Sequence, residues 1–290
     1  MTFREQAEKY MLEIANRKGA PARATTLHVY RSVLDARVLP AIGGADMAAI
    51  NNKTVKMLVG RLAEARLSPA TISLTVALVK QIVASATDDE GTYLYPVKWN
   101  PKFIDAPRVD PASQTTPIAS VAAITAALQT TSGEVGVLVA LLAGTGLRVG
   151  EALALKASDW DRDAGTLRIH STMVKGQVQP DPKTKAGNRV VDLDPSLNRF
   201  LSALLPTEGR LFSSPERTLH FRLAKLGIHG FHSLRRFRIT YLQGTAIPPT
   251  LVKFWAGHAA GDITERYTKF GAQIQERKVW SEKAGLGFSL

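Results

Sequence analysis

The chain has 290 residues, with 37 Lys and Arg against 25 Asp and Glu, a net charge of +12, and no Cys. That length allows one large domain or two modest ones, and the lack of Cys excludes disulfide scaffolds and Cys-ligated zinc or iron–sulfur sites. With 45% apolar and 21% charged residues there is material for real cores, so a soluble globular protein with a polyanionic partner is expected.

The opening stretch MTFREQAEKYM mixes acids with bases and lacks the charged-then-apolar layout of a secretion signal. The longest apolar run, around Val135 to Ala143, is far shorter than the roughly 20 residues that cross a bilayer. A cytoplasmic protein without membrane contact is the expectation. Apolar residues then recur at three- and four-residue spacing, as in Val55, Leu58, Val59 and Leu62, and predict helices over 3–16, 24–38, 52–66 and 69–86. Thr25 and Ser68 are the expected caps of the second and fourth. The bases Arg17, Lys18, Arg23, Lys53, Lys56, Arg61 and Lys80 are expected at the surface, as phosphate contacts or as scattered solvated charge.

Residues 100–117 hold four prolines with little periodicity, the composition of an extended connector. The expected division is a helical domain over 1–105, a linker over 106–117 and a second domain over 118–290. The second domain starts with predicted helices over 121–128 and 134–143. Short strands follow over 167–171, 174–178 and 189–193, and helices return from Pro195. The expected fold class is mainly α: a helical N-terminal domain plus a mixed α+β domain with a small antiparallel sheet.

Three stretches of the second domain could carry chemistry. In Gly144-Thr-Gly-Leu-Arg148-Val-Gly-Glu151 a hydrophobic helix breaks at glycines, and Arg148 and Glu151 share the next helical face, so the carboxylate can hold the guanidinium. Alone, such a pair is an ordinary surface ion pair. In His229-Gly-Phe-His232-Ser-Leu-Arg235 an imidazole and a guanidinium share a face near a helix start, which suits an anion. The histidines lack the partners and spacing of a zinc site, and no metal or other cofactor is expected. In Trp255-Ala-Gly-His258 a His sits in a Gly-containing turn nine residues before Tyr267, which alone reads as a packing tyrosine.

Together these stretches resemble the G-T-G-L-R-x-x-E, H-x-L-R and G-H-x(8)-Y signatures of the tyrosine recombinase (phage integrase) family. The resemblance extends to the helical first half, which looks like the family's core-binding domain, and to the connector, which falls at its linker. It implies that Tyr267 attacks a DNA phosphodiester to form a 3′-phosphotyrosyl link, without a metal or ATP. Arg148 and Arg235 then clamp the non-bridging oxygens, His258 adds a hydrogen bond to them, His232 takes the Tyr267 proton, and Glu151 supports the assembly. The family's general acid is a Lys in a β-hairpin. Pro182-Lys183-Thr-Lys185-Ala-Gly-Asn-Arg189 resembles its K-T-x-x-x-x-R pattern, so Lys183 is chosen, ahead of Lys185 and Lys175.

Implied partners are double-stranded DNA carrying a specific site, a homotetramer on that DNA and an accessory DNA-bending protein. The implied task is mobile-element integration or excision. The alternatives are a non-catalytic DNA-binding accessory factor and a type IB topoisomerase-like relaxing enzyme. Trp255 departs from the family, which has an aliphatic residue before Ala-Gly-His, and the resemblance is to compact two-domain members, so recognition of distant arm sites is not expected. The tail brings Val279, Trp280, Leu286 and Phe288, poor surface residues, and is expected to pack on a neighbouring subunit.

Overall fold

The structure is a computed structural model that describes residues 1–110, 117–131, 133–180, 188–258 and 273–290. The chain divides into two compact units, Met1–Gln114 and Thr115–Leu290.

The N-terminal unit is helical. Helix α1 (Phe3–Ala15) opens with a reciprocal cap: Glu5 N–H donates to Thr2 Oγ1, and Thr2 N–H donates to Glu5 Oε2. Helix α2 (Ala24–Val33) passes into a π turn at Leu34–Val38 and the short α3 (Leu39–Ile42). The helix expected over 24–38 is therefore present and runs on to Ile42, but its residues 34–38 are widened into a π turn. Pro40 has no N–H for the usual four-residue bond, and a wider turn brings the Leu39 N–H to the Leu34 carbonyl instead. The expected Thr25 cap is also corrected, because the helix already begins at Ala24 and Arg23 occupies the cap position, where no side-chain cap hydrogen bond forms.

A 3₁₀ turn at Met47–Ala49 leads to α4 (Asn52–Glu64) and α5 (Pro69–Ala84). Ser68 does cap α5, accepting from the Thr71 N–H, with proline at the first helical position. Ile72, Val79 and Ile82 face the core with Phe3, Leu34 and Leu58, each contributing about 1.5–3 kcal/mol by leaving water. The connector is ordered longer than its prolines suggest. Asn100 caps α6 (Pro101–Ile104), Ile104 is buried in this core, and Asn52 pins the segment before it by bonding both the Lys98 carbonyl and the Asn100 N–H.

The C-terminal unit is built around α8 (Glu134–Thr145), which follows α7 (Val121–Thr130). Every residue of α8 from Val135 to Thr145 is buried, as its apolar sequence requires. It packs against α7, α9 (Val149–Ala154), and three later helices: α10 (Pro195–Leu204), α11 (Glu216–Lys225) and α12 (Phe231–Gln243). Between α9 and α10 lie β1 (Trp160–Asp161), β2 (Thr166–Ile169), β3 (Thr172–Val174), β4 (Gln177–Gln179) and β5 (Arg189–Asp192). An antiparallel sheet has the order β1-β2-β5, with Arg168 opposite Val190 and Ile169 opposite Arg189, and β3-β4 form a separate hairpin. The single strand expected over 174–178 is broken at residues 175–176 by this hairpin's turn, because Lys175 and Gly176 both adopt positive φ, the geometry of a two-residue turn.

Helices α13 (Pro249–Ala256) and α14 (Ile274–Ala284) complete the unit. The tail packs on its own unit, against the expectation of a neighbouring subunit. Ala284 and Leu286 enter the core, Trp280 and Phe288 pack against it, and only Val279 of the four residues named above stays exposed. Phe288 finds cover on α12, where it meets Phe237 edge to face. Among the described residues no helix is long and apolar enough to cross a membrane.

Candidate active site

The core helix delivers the first site residue. Gly146 ends α8 in the left-handed region at φ +72°, the next residue Leu147 is buried, and Arg148 emerges at the cap position of α9. Glu151, 2% exposed, accepts the Arg148 backbone N–H at 3.0 Å and its Nη1 at 2.7 Å. This is not an ordinary surface pair, because a second guanidinium shares the carboxylate: Arg189 of β5 donates from Nη2 at 3.0 Å and Nη1 at 3.3 Å. Burial pushes the Glu151 carboxyl up, but the bonds and charge of Arg189, with those of Arg148, outweigh it and hold it below the ordinary value. Glu151 therefore stays ionised and fixes two cations.

The C-terminal end of α13 fixes them from the other side. Its last carbonyls have no helical partner, and three successive ones accept from three arginines. Trp255 O accepts Arg189 Nε at 2.8 Å, Ala256 O accepts Arg235 Nη2 at 2.7 Å, and Gly257 O lies 3.4 Å from Arg148 Nη2. Gly257 has φ +64°, and a Cβ there would sit 2.6 Å from Arg189 Nη1, so glycine is required by both the turn and the close approach. Arg235, on α12, also donates to the Gly146 carbonyl at 2.6 Å. Burial, with the charge of Arg148, draws its pKa down to about 10, and it remains protonated at neutral pH.

The two histidines complete the constellation. His258 Nε2 lies 3.0 Å from Arg235 Nη2. A guanidinium only donates, so Nε2 accepts and the Nδ1–H remains for a ligand. His232 precedes Arg235 by one turn on α12 and is exposed. Both imidazoles are held below their ordinary pKa of 6.5, first by partial desolvation against the protein and then by neighbouring cations: Arg236, Arg235 and Arg148 for His232, and Arg235 first for His258. Neutral imidazoles beside immobilised guanidiniums can bind an anion and also accept a proton.

The structure thus bonds Arg148 to Glu151 and Arg235 to His258, fixes both arginines on successive carbonyls at the end of α13, and sets His232 on the helix that carries Arg235. Tyr267, Lys183 and Lys185 lie outside the described residues. Lys175 sits exposed in the β3–β4 turn, beside Arg210, Arg217 and His220 around a cavity of about 630 Å³. A cavity of about 660 Å³ lies in the N-terminal unit. Among the bases of the N-terminal unit, Lys56 and Lys80 lie over the rings of Phe103 and Trp99, and Arg17 pairs with Glu13. Sequence reasoning assigns no role to Arg189. A signal existed, because in Arg-Val-Val-Asp strand alternation puts Arg189 in phase with the buried Val191, and an arginine there needs a carboxylate.

No family model and no curated protein matches the sequence. Solved structures do. The chain is similar to a Tn1549 transposon integrase fragment in complex with a circular intermediate DNA, at TM-score 0.72 and 16% identity, covering 96% of this chain and 99% of that one. It is similar to a lambda integrase fragment, a dimer bound to a core site, at TM-score 0.63 and 16% identity, with 96% of each chain covered. A lambda integrase tetramer bound to a Holliday junction matches at TM-score 0.62 and 16% identity, covering 91% of this chain and 79% of that one. The fold of this chain is that of these integrases, mainly α with a small antiparallel sheet, as the recombinase resemblance implied.

Proposed function

We propose that this protein is a tyrosine-type site-specific DNA recombinase that breaks and rejoins strands through a 3′-phosphotyrosyl intermediate on Tyr267. The observation that carries the reading is that Arg148, held by Glu151, and Arg235, in contact with His258, are both fixed by carbonyls at the end of α13, with His232 one turn before Arg235 on α12, a pre-arranged seat for a phosphodiester. The integrase fold, with neighbours bound to DNA, supports DNA as the partner.

In this mechanism the Tyr267 hydroxyl oxygen attacks phosphorus while its proton passes to neutral His232. The forks of Arg148 and Arg235 and the Nδ1–H of His258 stabilise charge growing on the non-bridging oxygens, and cost no reorganisation because Glu151 and the α13 carbonyls already hold them. The 5′ oxygen leaves with a proton from Lys183, freeing a 5′-hydroxyl. The bond energy is kept in the tyrosyl ester, so rejoining by another 5′-hydroxyl reverses the step without ATP or a metal. Exchange between two duplexes needs four active sites. A homotetramer is the proposed assembly, supported by the tetrameric neighbour on a Holliday junction, with mobile-element integration or excision as the task.

The test is to incubate the protein, without metal, with nicked duplexes cut from the flanks of its own gene and to resolve the products on denaturing gels. A DNA-linked protein band that vanishes in Tyr267→Phe is expected. Tight, salt-dependent binding to one duplex with no band in any condition would favour a non-catalytic DNA-binding factor instead.

A further inference from the structure

Trp255 stands where the family pattern has an aliphatic residue, and the proposed reaction does not use its side chain. Its indole is buried, and Nε1–H donates to Asp192 Oδ2 at 2.8 Å. The same carboxylate accepts from Arg277 of α14, from Nε at 2.8 Å and Nη2 at 3.2 Å. At its other end Trp255 gives its carbonyl to Arg189. Arg189 and Asp192 are the first and last residues of β5. One strand therefore grips Trp255 by ring and by backbone, and the carboxylate that grips the ring is held by the C-terminal helix.

Stability alone does not call for this arrangement. Asp192 and Arg277 side chains are each 1% exposed, and at that depth desolvation largely cancels attraction, so apolar residues of similar volume would serve as well. Directed bonds add a defined position for the backbone that follows, and that backbone carries the three carbonyls receiving Arg189, Arg235 and Arg148. A second tie runs the same way: Arg238 of α12, the helix of His232 and Arg235, donates to the Gly285 carbonyl just after α14 at 2.7 Å. In sequence α14 begins seven residues after Tyr267.

We propose that Arg277, Asp192 and Trp255 form a positioning relay: the C-terminal helix, through Asp192 and the Trp255 indole, sets the 255–257 carbonyls and with them the guanidiniums that clamp the phosphate. The relay rests on the recombinase reading above. It makes the tail a determinant of cleavage geometry rather than of DNA affinity.

The experiment measures single-turnover covalent complex formation on the nicked duplex at saturating protein, with duplex affinity and melting temperature recorded for each variant. Trp255→Phe keeps the ring and removes the N–H. It is expected to slow cleavage about tenfold or more, as small displacements of clamping groups do, with affinity changed less than about twofold. Arg277→Met should slow cleavage similarly, Arg277→Lys should recover part of the rate, and Trp255→Phe combined with Arg277→Met should fall no further than the slower single variant. Should Arg277→Met fail to fold, Trp255→Phe and Arg277→Lys carry the test. Cleavage by Trp255→Phe at the unsubstituted rate, effects that multiply, or rate and affinity falling together would each overturn the relay while leaving the recombinase reading intact. Absence of any covalent complex with the unsubstituted chain would overturn both.

Discussion

The two units bury different chemistry. Among the described residues, the N-terminal unit buries only Gln6 and Thr75 as polar side chains, and its ion pairs lie at the surface, Arg31 and Glu8 being 40% and 46% exposed. The C-terminal unit buries Glu151, Asp192, Arg189, Arg235, Arg238 and Arg277. Taking a charge out of water costs several kcal/mol even in a relaxed interior, and apolar packing stabilises a domain more cheaply. The first unit is what helical periodicity produces when stability is the only demand. The second holds buried guanidiniums immobile against carboxylates and backbone carbonyls, a demand that packing alone does not make.

The contrast can be broken or sharpened at several points. The largest effect is expected from Arg235→Lys, which keeps a charge but loses the fork that reaches Gly146, Ala256 and His258. Covalent complex formation should fall by about 10³-fold, roughly 4 kcal/mol, with a much smaller loss of duplex affinity. An equal loss in both would reduce Arg235 to a binding residue. Next, Glu151→Gln strands two guanidiniums and should cost about 3 kcal/mol or more in denaturant unfolding, while Glu8→Gln in the N-terminal unit should cost less than about 1 kcal/mol. Similar costs at both positions would erase the distinction between the units.

Acidity probes the same field. Partial desolvation and the charges of Arg236, Arg235 and Arg148 disfavour protonated His232, so its neutral form survives as pH falls through 6.5. The acid limb of the second-order rate of covalent complex formation should lie below pH 6.5, and Arg236→Gln should move it upward. A limb at or above 6.5 in the unsubstituted chain would contradict the assignment of His232 as base. The smallest effect concerns a carboxylate outside the site. Glu134 accepts from Ser213 and Ser214 backbone N–H groups and the Ser213 hydroxyl, and these bonds outweigh its burial to bring its pKa down to about 2. Its folded pKa lies below the ordinary 4.5, so its contribution is complete above that value and fades as pH falls towards 2. Glu134→Gln should cost about 1–2 kcal/mol at pH 7, shrinking over that window in thermal unfolding, with cleavage unchanged.

Much of this was legible along the chain. The amphipathic runs of α1, α4 and α5, the Ser68 cap and the wholly apolar α8 follow from spacing and composition, because helices and their caps are set by residues a few positions apart. Where local chemistry competed, the reading failed: Pro40 widened a turn, and Lys175-Gly176 folded an expected strand into a hairpin. Arg148, Glu151, His232, Arg235 and His258 could be named because each belongs to a short pattern.

Sequence by itself determined which residue types were available for the site, the helical character of both units and the surplus of positive charge. Only the tertiary structure decided that Arg189 shares Glu151 with Arg148, that three consecutive carbonyls of α13 hold three arginines, and that the tail folds back to Asp192 and Trp255 within its own unit. Arg189 stands 38 positions from Glu151, the three arginines stand 21 to 109 positions from the carbonyls that receive them, and Trp255 and Arg277 stand 63 and 85 from Asp192. Nothing in local propensity distinguishes an arginine bound for solvent from one bound for a buried carboxylate, because the choice depends on which distant group arrives to replace its water.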